Sequence, residues 1–364
     1  MKKIVAIDLD GTLLHSDCTI SSYSKEVIAE AVKNGIMVVP TSGRSFRSIK
    51  NQVQDIEGVK YCICANGTLV GNIQTEELLH NCKIPQHLVY DIYKEVKERH
   101  GFIELYCDND AYVEKDTAPI IYDTKMGKDF CDSMLSTDVI GLSYDLLLRR
   151  GTMRINKIHV AFPDPQELRE FAAKTAENKE LIVTFPSEYN MEIFPNGCNK
   201  DVGIRILAEK YHIPQEDTVA IGDSDNDVAM IEYAHIGIAV ANAMEVLKEK
   251  ADYITKSNDE DGPAIVLKKI LEKLFFFIIS ILFLESKKSN KLQNKKNTKK
   301  KYLANSPKNL NRKINIIIFD IPIIITNFVL LKKSSCLYSF SMLFKLLYFK
   351  VEKIVKTIPN KKIR

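Results

Sequence analysis

Ile4-Val5-Ala6-Ile7-Asp8-Leu9-Asp10-Gly11-Thr12 sets an apolar run against two acids separated by one residue. Side chains alternate faces along a strand, so positions i and i+2 point the same way. Asp8 and Asp10 therefore converge as the chain leaves the sheet, and Gly11 permits a tight turn there. Two neighbouring carboxylates repel unless a cation lies between them. The pattern predicts a hard divalent metal, most simply Mg²⁺. An Asp-rich turn or a Ca²⁺ loop would use the same residue types, so the stretch needs partners elsewhere in the chain.

Working outward, apolar runs alternate with helical patterns on both sides of the chain's middle. Lys3–Ile7, Ile36–Val39 and Tyr61–Ala65 read as strands, with helices over Tyr23–Asn34 and Phe46–Val53. Later, helices are predicted over Lys200–Tyr211 and Asn226–Tyr233, and strands over Val219–Ile221 and Ile236–Val240. Such alternation gives a doubly wound parallel sheet that binds ligands at the strands' C-terminal ends. The middle differs. Helical patterns at Gln86–His100 and Gln166–Asn178 lie among strand-like runs at Ile103–Tyr106, Ala111–Val113, Ile155–Ala161 and Leu181–Phe185. This predicts an inserted α+β domain over 83–187, placed to cover the crest of a discontinuous domain made of 1–82 and 188–272.

Four further signals fall at expected strand ends. Thr41-Ser42-Gly43-Arg44 offers hydroxyls and backbone N–H groups suited to phosphate oxygens, although a Ser/Gly turn has the same composition. Asn66-Gly67 alone signals only a turn. Lys200 opens a helix after Pro195-Asn196-Gly197, where an ammonium can reach a transferring phosphoryl group, although a first-turn lysine is usually solvent-exposed and mildly unfavourable for the helix dipole. Gly222-Asp223-Ser224-Asp225-Asn226-Asp227 holds more polar groups than a helix cap requires. Taken together, these residues compose a phosphoryl-transfer site.

Asp8-Leu9-Asp10-Gly11-Thr12, Ser42-Gly43-Arg44, Lys200 and Gly222-Asp223-Ser224-Asp225-Asn226-Asp227 resemble the four motifs of the haloacid dehalogenase-like hydrolases. The insert resembles the type IIB cap, and Asn66-Gly67 with Ala251-Asp252-Tyr253-Ile254-Thr255 resembles the Cof-type sugar-phosphatase branch. The likeness spans about Lys2 to Leu271. It implies a Rossmann-like core and a Mg²⁺-dependent phosphomonoester hydrolase for small phosphorylated metabolites such as sugar phosphates. Asp8 would be the nucleophile, forming an aspartyl-phosphate, and Asp10 the acid and base. Mg²⁺ would be held by the Asp8 carboxylate, the Asp10 carbonyl and Asp223. Leu9, Ser42, Gly43, Asn66, Lys200 and Asn226 would bind substrate, with Thr12, Thr41, Arg44 and Asp227 in support. Asp227 is assigned to Lys200 or to a metal-bound water rather than to the metal. Glu104, Tyr106, Tyr112 and Lys157 are candidates for leaving-group contacts. A phosphotransferase or mutase of the same fold, and a non-catalytic phosphosugar sensor, are the alternatives.

Composition bounds the remaining possibilities. Of the 364 residues, the last 92 carry 21 of the 51 Lys+Arg but three of the 47 Asp+Glu, so this tail is +18 and the rest −14. A mildly acidic body argues against nucleic acid as a partner. The tail (273–364) has no glycine, one alanine and much Lys, Asn, Ile and Phe. It reads as a little-structured appendage or read-through of A/T-rich sequence. Its apolar runs, Leu274–Leu284 and Ile314–Leu331, are too short or too interrupted for a clear membrane span, so membrane association is expected through the tail or not at all. Eight cysteines without disulfide or metal-ligand spacing, and the early Asp8 that precludes a signal-peptide core, point to a reducing cytoplasmic location. Oligomeric state is not legible.

Overall fold

The computed structural model describes residues 3–272. Its strands, in chain order, are β1 (Lys3–Asp8), β2 (Ile36–Thr41), β3 (Tyr61–Cys64), β4 (Leu69–Asn72), β5 (Leu78–Asn81), β6 (Phe102–Cys107), β7 (Asp110–Glu114), β8 (Val139–Gly141), β9 (Lys157–Ala161), β10 (Leu181–Ser187), β11 (Asn190–Pro195), β12 (Thr218–Gly222), β13 (Ile236–Ala239) and β14 (Tyr253–Ile254). The helices are α1 (Ser22–Lys33), α2 (Phe46–Val53), α3 (Gln86–Glu98), α4 (Lys128–Leu135), α5 (Asp145–Arg149), α6 (Pro165–Ala176), α7 (Lys200–Tyr211), α8 (Val228–Tyr233) and α9 (Glu245–Lys250), and residues 262–272 are also helical.

Eight strands form the first sheet in the order β14-β13-β12-β1-β2-β3-β4-β5. From β14 to β3 every pairing is parallel, and β4 and β5 turn back antiparallel at the edge. The interior strands are β-branched and apolar because helices cover both faces. Ile4, Val5, Ala6 and Ile7 are wholly buried, as are Ala220 and Ile221 beside them. Helix starts are fixed by side-chain caps, Ser21 for α1 and Ser45 for α2. On residues 262–272, Ala264, Leu267 and Leu271 recur at helical spacing and enter the same core. The order places β1 where the chain winds outward in both directions, which is the switch point of a doubly wound sheet. Register then puts Asp8 opposite Thr41, with Ile7 opposite Ile221, so the ends of β1, β2 and β12 share one crest.

Six strands form the second sheet, ordered β10-β11-β9-β6-β7-β8, antiparallel except for β7 with β8. One face carries Ile103, Leu105, Ile158, Val160, Met191 and Ile193 against Val89, Ile92, Leu168 and Phe171 of α3 and α6. The alternate residues are polar: Glu104, Tyr106, Lys157, His159, Asn190 and Glu192. This sheet runs to Pro195, past the 187 expected from sequence. β11 escapes a pattern reading because its polar alternation faces protein, and all six of its residues are buried. β4 and β5 escape it too, since their apolar runs are short and β5 is only half-buried. The predicted helix Asn226–Tyr233 begins at Val228, because a capping box between Ser224 and Asp227 tightens the preceding turn. Among the described residues no helix is long and apolar enough to cross a membrane. The tail and its apolar runs lie outside the described residues.

Asp138, just before β8, lies beside Glu104, and its buried Oδ2 has no hydrogen-bond partner among the described residues. Burial, then the Glu104 carboxylate, pushes Asp138 up to about 9. The unfolded chain releases that proton near about pH 4. Between these values the folded state binds more protons, so this group's contribution to stability falls as pH rises. Asp138→Asn is expected to raise the melting temperature by a few degrees at pH 8 and to lose that advantage near pH 4, as read by thermal melts across pH.

Candidate active site

The crest of the first sheet gathers the predicted residues. Asp8 ends β1 and is 3% exposed. Lys200 opens α7 and Asp227 closes the turn after β12; they are 1% and 0% exposed. The Lys200 Nζ donates to Asp8 Oδ1 at 2.7 Å, to Asp227 Oδ1 at 2.6 Å and to Asn226 Oδ1 at 2.9 Å. A buried ammonium is tolerable only with such partners. Burial works against its charge, but Asp227 and Asp8 outweigh this and hold Lys200 firmly protonated. This also explains a lysine in a first helical turn: its target lies off the helix.

The acids around it are crowded. Asp8, Asp223 and Asp227 offer carboxylate oxygens within 4.8 Å of one another. Burial first, and then the neighbouring Asp227, raises Asp8 well above the usual carboxylate range. The same two causes push Asp223 up to about 7. Asp8 Oδ2 is buried and, among the described residues, has no hydrogen-bond partner. Asp227 has no oxygen to spare, since Oδ1 takes Lys200 and Oδ2 accepts the Asp223 and Ser224 amides at 2.9 and 3.2 Å. Asp223 Oδ1 accepts from the Thr12 hydroxyl at 3.0 Å, which aims it at Asp8. Orphaned Asp8 Oδ2 and half-engaged Asp223 therefore fit a hard divalent cation, with Asp227 bound to its protein partners.

Local backbone explains why these residues can meet. Gly11 has φ +72°, and a Cβ there would lie 2.6 Å from Asp223 Oδ2. Glycine at this turn is what lets the β1 loop approach the β12 loop. Asn242 Nδ2 donates to the Gly11 carbonyl at 2.8 Å and holds the turn, a contact no sequence signal announced. Gly67, at φ +96°, lies where a Cβ would come within 2.0 Å of the Asn199 carbonyl. That contact seats the start of α7 and so positions Lys200. Leu9 is buried at the base of the turn.

The second group surrounds Asp10. Arg44 grips its carboxylate with Nε at 2.8 Å and Nη2 at 2.6 Å. Ser42 Oγ stands 3.4 Å from Asp10 Oδ2 and accepts from the Arg44 amide. Thr41 turns its hydroxyl back to the Val39 carbonyl, so Ser42 is the hydroxyl that faces the site.

The insert's polar face reaches the same crest. Lys157 donates to the Gly43 carbonyl and, at 2.5 Å, to Glu192 Oε1, while Asn66 Nδ2 donates to Glu192 Oε2 at 2.6 Å. Against the burial that would raise it, Lys157 holds Glu192 below the usual carboxylate range. Lys157 also lies 4.0 Å from the Tyr106 ring centroid, and His159 pairs with Glu104 at 2.8 Å. Tyr112 does not join them. It registers with Leu105, on the opposite face, and packs edge-on against Tyr144. Glu192 was missed in the sequence because its strand was missed; its one signal is Asn190-Met191-Glu192-Ile193, a period-2 alternation.

Comparison with known proteins agrees with this geometry. Residues 5–270 match the family described as haloacid dehalogenase-like hydrolase. The Bacillus subtilis (strain 168) 5-amino-6-(5-phospho-D-ribitylamino)uracil phosphatase YcsE is 28% identical over 270 residues, covering 73% of this chain and 94% of that protein. Phosphatase YwpJ of the same organism is 28% identical over 287 residues, covering 74% and 100%. The crystal structure of a haloacid dehalogenase-like hydrolase from Bacteroides thetaiotaomicron superposes with a TM-score of 0.65 at 27% identity, over 74% of this chain and 100% of that one. With motif order, fold and site geometry in accord, the chain belongs to the haloacid dehalogenase-like hydrolases, as a phosphatase of their Cof-type branch.

Proposed function

We propose that the protein is a Mg²⁺-dependent phosphomonoester hydrolase for small phosphorylated metabolites, sugar phosphates among them, acting through an aspartyl-phosphate on Asp8. The observation that carries this reading is Asp8 itself: one oxygen is fixed by Lys200 and the other is buried without a partner at the switch point of the sheet. A relative's name specifies a phospho-ribityl ester, a small phosphate monoester of this kind.

The Asp8 carboxylate attacks phosphorus through one oxygen as the bond to the leaving oxygen breaks. Asp10 gives that oxygen a proton, then takes one from the water that attacks the aspartyl-phosphate; phosphate leaves and the Asp8 carboxylate is restored. Asp10 is bound by Arg44 before substrate arrives, which keeps it next to Ser42 at the mouth of the site. Its side chain is 43% exposed, so it can turn toward a leaving group while Arg44 stays. Lys200, the Ser42 hydroxyl and the Gly43 amide stabilise the phosphoryl oxygens, with the Leu9 backbone and Asn226 beside them. Asp8, Asp223 and the Asp10 carbonyl would hold Mg²⁺, which offsets negative charge on the phosphoryl group when bound. Thr12 aims Asp223, and Asp227 anchors Lys200. Glu104, Tyr106, Lys157, His159, Asn190 and Glu192 would meet the leaving group and exclude water from it.

The test is phosphate release by the full chain from a panel of sugar phosphates, with Mg²⁺ and with chelator. Turnover is expected only with Mg²⁺ and is expected to fall by at least about 10³-fold in Asp8→Asn. A folded, Mg²⁺-binding protein that releases no phosphate from any ester would overturn the reading.

Asp10→Asn separates protonation from attack. Its turnover of alkyl phosphates is expected to fall by about 10²–10⁴-fold. An aryl phosphate, whose leaving group needs no proton, should lose much less in the first step, so a burst of the phenol followed by slow release marks a stalled aspartyl-phosphate. Equal losses on both substrates, without a burst, would remove Asp10 from this role.

Mg²⁺ should also raise the melting temperature of the wild-type chain by relieving repulsion among Asp8, Asp223 and Asp227. Asp223→Asn is expected to melt higher than the metal-free wild type and to lose the response to Mg²⁺. A Mg²⁺ response that survives this change would place the ion elsewhere.

A further inference from the structure

The backbone crosses between the two sheets twice, at residues 82–85 between β5 and α3 and at residues 196–199 between β11 and α7. Each crossing carries a cysteine. Cys82 is tied by its amide to the Thr68 carbonyl at 2.8 Å and by its carbonyl to Asn156 Nδ2 at 2.6 Å. Cys198 donates its amide to the Pro195 carbonyl at 3.2 Å and is buried. His80, paired with Val70 in the edge hairpin, stands beside them. Its Nε2 is buried and, among the described residues, has no hydrogen-bond partner. The ligating atoms of His80, Cys82 and Cys198 all lie within 4.8 Å of one another.

This set is chemically unlike the Asp8 cluster. Two sulfurs and an imidazole are soft to borderline donors that select Zn²⁺-type ions, whereas Mg²⁺ requires oxygen. Tetrahedral Zn²⁺, with Zn–S near 2.3 Å and Zn–N near 2.0–2.1 Å, needs its donors about 3.5–3.8 Å apart. With the donors already within 4.8 Å of one another, they need draw in by at most about 1 Å, a side-chain adjustment. His80 keeps one buried nitrogen without a hydrogen-bond partner among the described residues, which is costly unless something coordinates or hydrates it.

We infer that His80, Cys82 and Cys198 form a second metal site, for one thiophilic divalent cation such as Zn²⁺, which clips together the two crossings between the sheets. His80 and Cys82 are only half-buried, which leaves a route for the ion and room for water as a fourth ligand. Cys198 precedes Lys200 by two residues, and the intervening Asn199 seats on Gly67. An ion here would hold the start of α7, and with it Lys200, against the hinge of the inserted sheet. The inference stands on this cluster alone and does not require the phosphatase reading to hold.

The test uses the reduced, metal-stripped full chain titrated with Co²⁺ in excess Mg²⁺, which keeps the carboxylate cluster occupied. One equivalent of Co²⁺ is expected to produce thiolate-to-cobalt charge-transfer bands and intense four-coordinate d–d bands, both bleached by one equivalent of Zn²⁺. Cys82→Ser and Cys198→Ser should each abolish the charge-transfer bands or weaken binding at least tenfold, while Cys64→Ala leaves them in place. Circular dichroism melts show whether each variant is folded. Thiolate bands that persist in both Cys82→Ser and Cys198→Ser would overturn the inference, as would their absence from the folded, reduced wild type. A Cys82–Cys198 disulfide in the isolated protein that resists reduction, seen as the loss of two hydrogens by mass spectrometry, would also overturn it.

Discussion

A single buried ammonium, Lys200 Nζ, sits between Asp8 and Asp227, and the organisation of the site depends on it. Removing charges from water costs several kcal/mol per ion, which only close pairing offsets, and stripping one partner from such a group costs about 3–5 kcal/mol. The triad joins three segments distant in sequence: the end of β1, the start of α7 and the turn after β12. It therefore fixes the crest of the sheet as a geometric unit. It also leaves the site short of positive charge, since among the described residues Asp8, Asp10, Asp223 and Asp227 pair only with Lys200 and Arg44. Burial first, and that imbalance next, raise Asp8 and Asp223.

The same constraint explains where the insert is attached. Lys200 can reach Asp8 only if the chain returns from the second sheet directly above the first, and Gly67 admits the Asn199 backbone there. The two crossings are consequently side by side, which is also why Cys82 and Cys198 meet. Above them, Glu192 bridges Lys157 and Asn66, so a residue of the first sheet's third loop is read by the inserted sheet. The Asn66-Gly67 turn thus serves twice: its asparagine binds the insert and its glycine seats α7.

Much of the fold was legible because hydrophobic periodicity reports local geometry. The buried parallel strands read as continuous apolar runs, and Asp8 with Asp10 stood out because a strand of that kind has no use for two acids at its tip. Asp223 stands out as part of an acidic turn at a strand end, whereas Lys200 rests on its position in the motif order. The elements that were missed are those whose partners lie elsewhere in the molecule. β11 alternates polar and apolar residues with protein on both sides, and β4 and β5 are short edge strands. Tyr112 was placed with Glu104 and Lys157 in sequence, but β7 registers it with Leu105 on the apolar face.

Sequence alone determined the residue types of the site, the order in which they arrive and the sheet that carries them, because strand alternation and turn chemistry act over a few residues. Tertiary structure alone decided that Arg44 binds Asp10, that Ser42 rather than Thr41 faces the site, that Asp227 is wholly engaged by protein, and that His80 and two cysteines converge at the hinge. Those contacts depend on how strand ends and crossings distant in sequence are brought together, and that arrangement is fixed by long-range packing that no local pattern encodes.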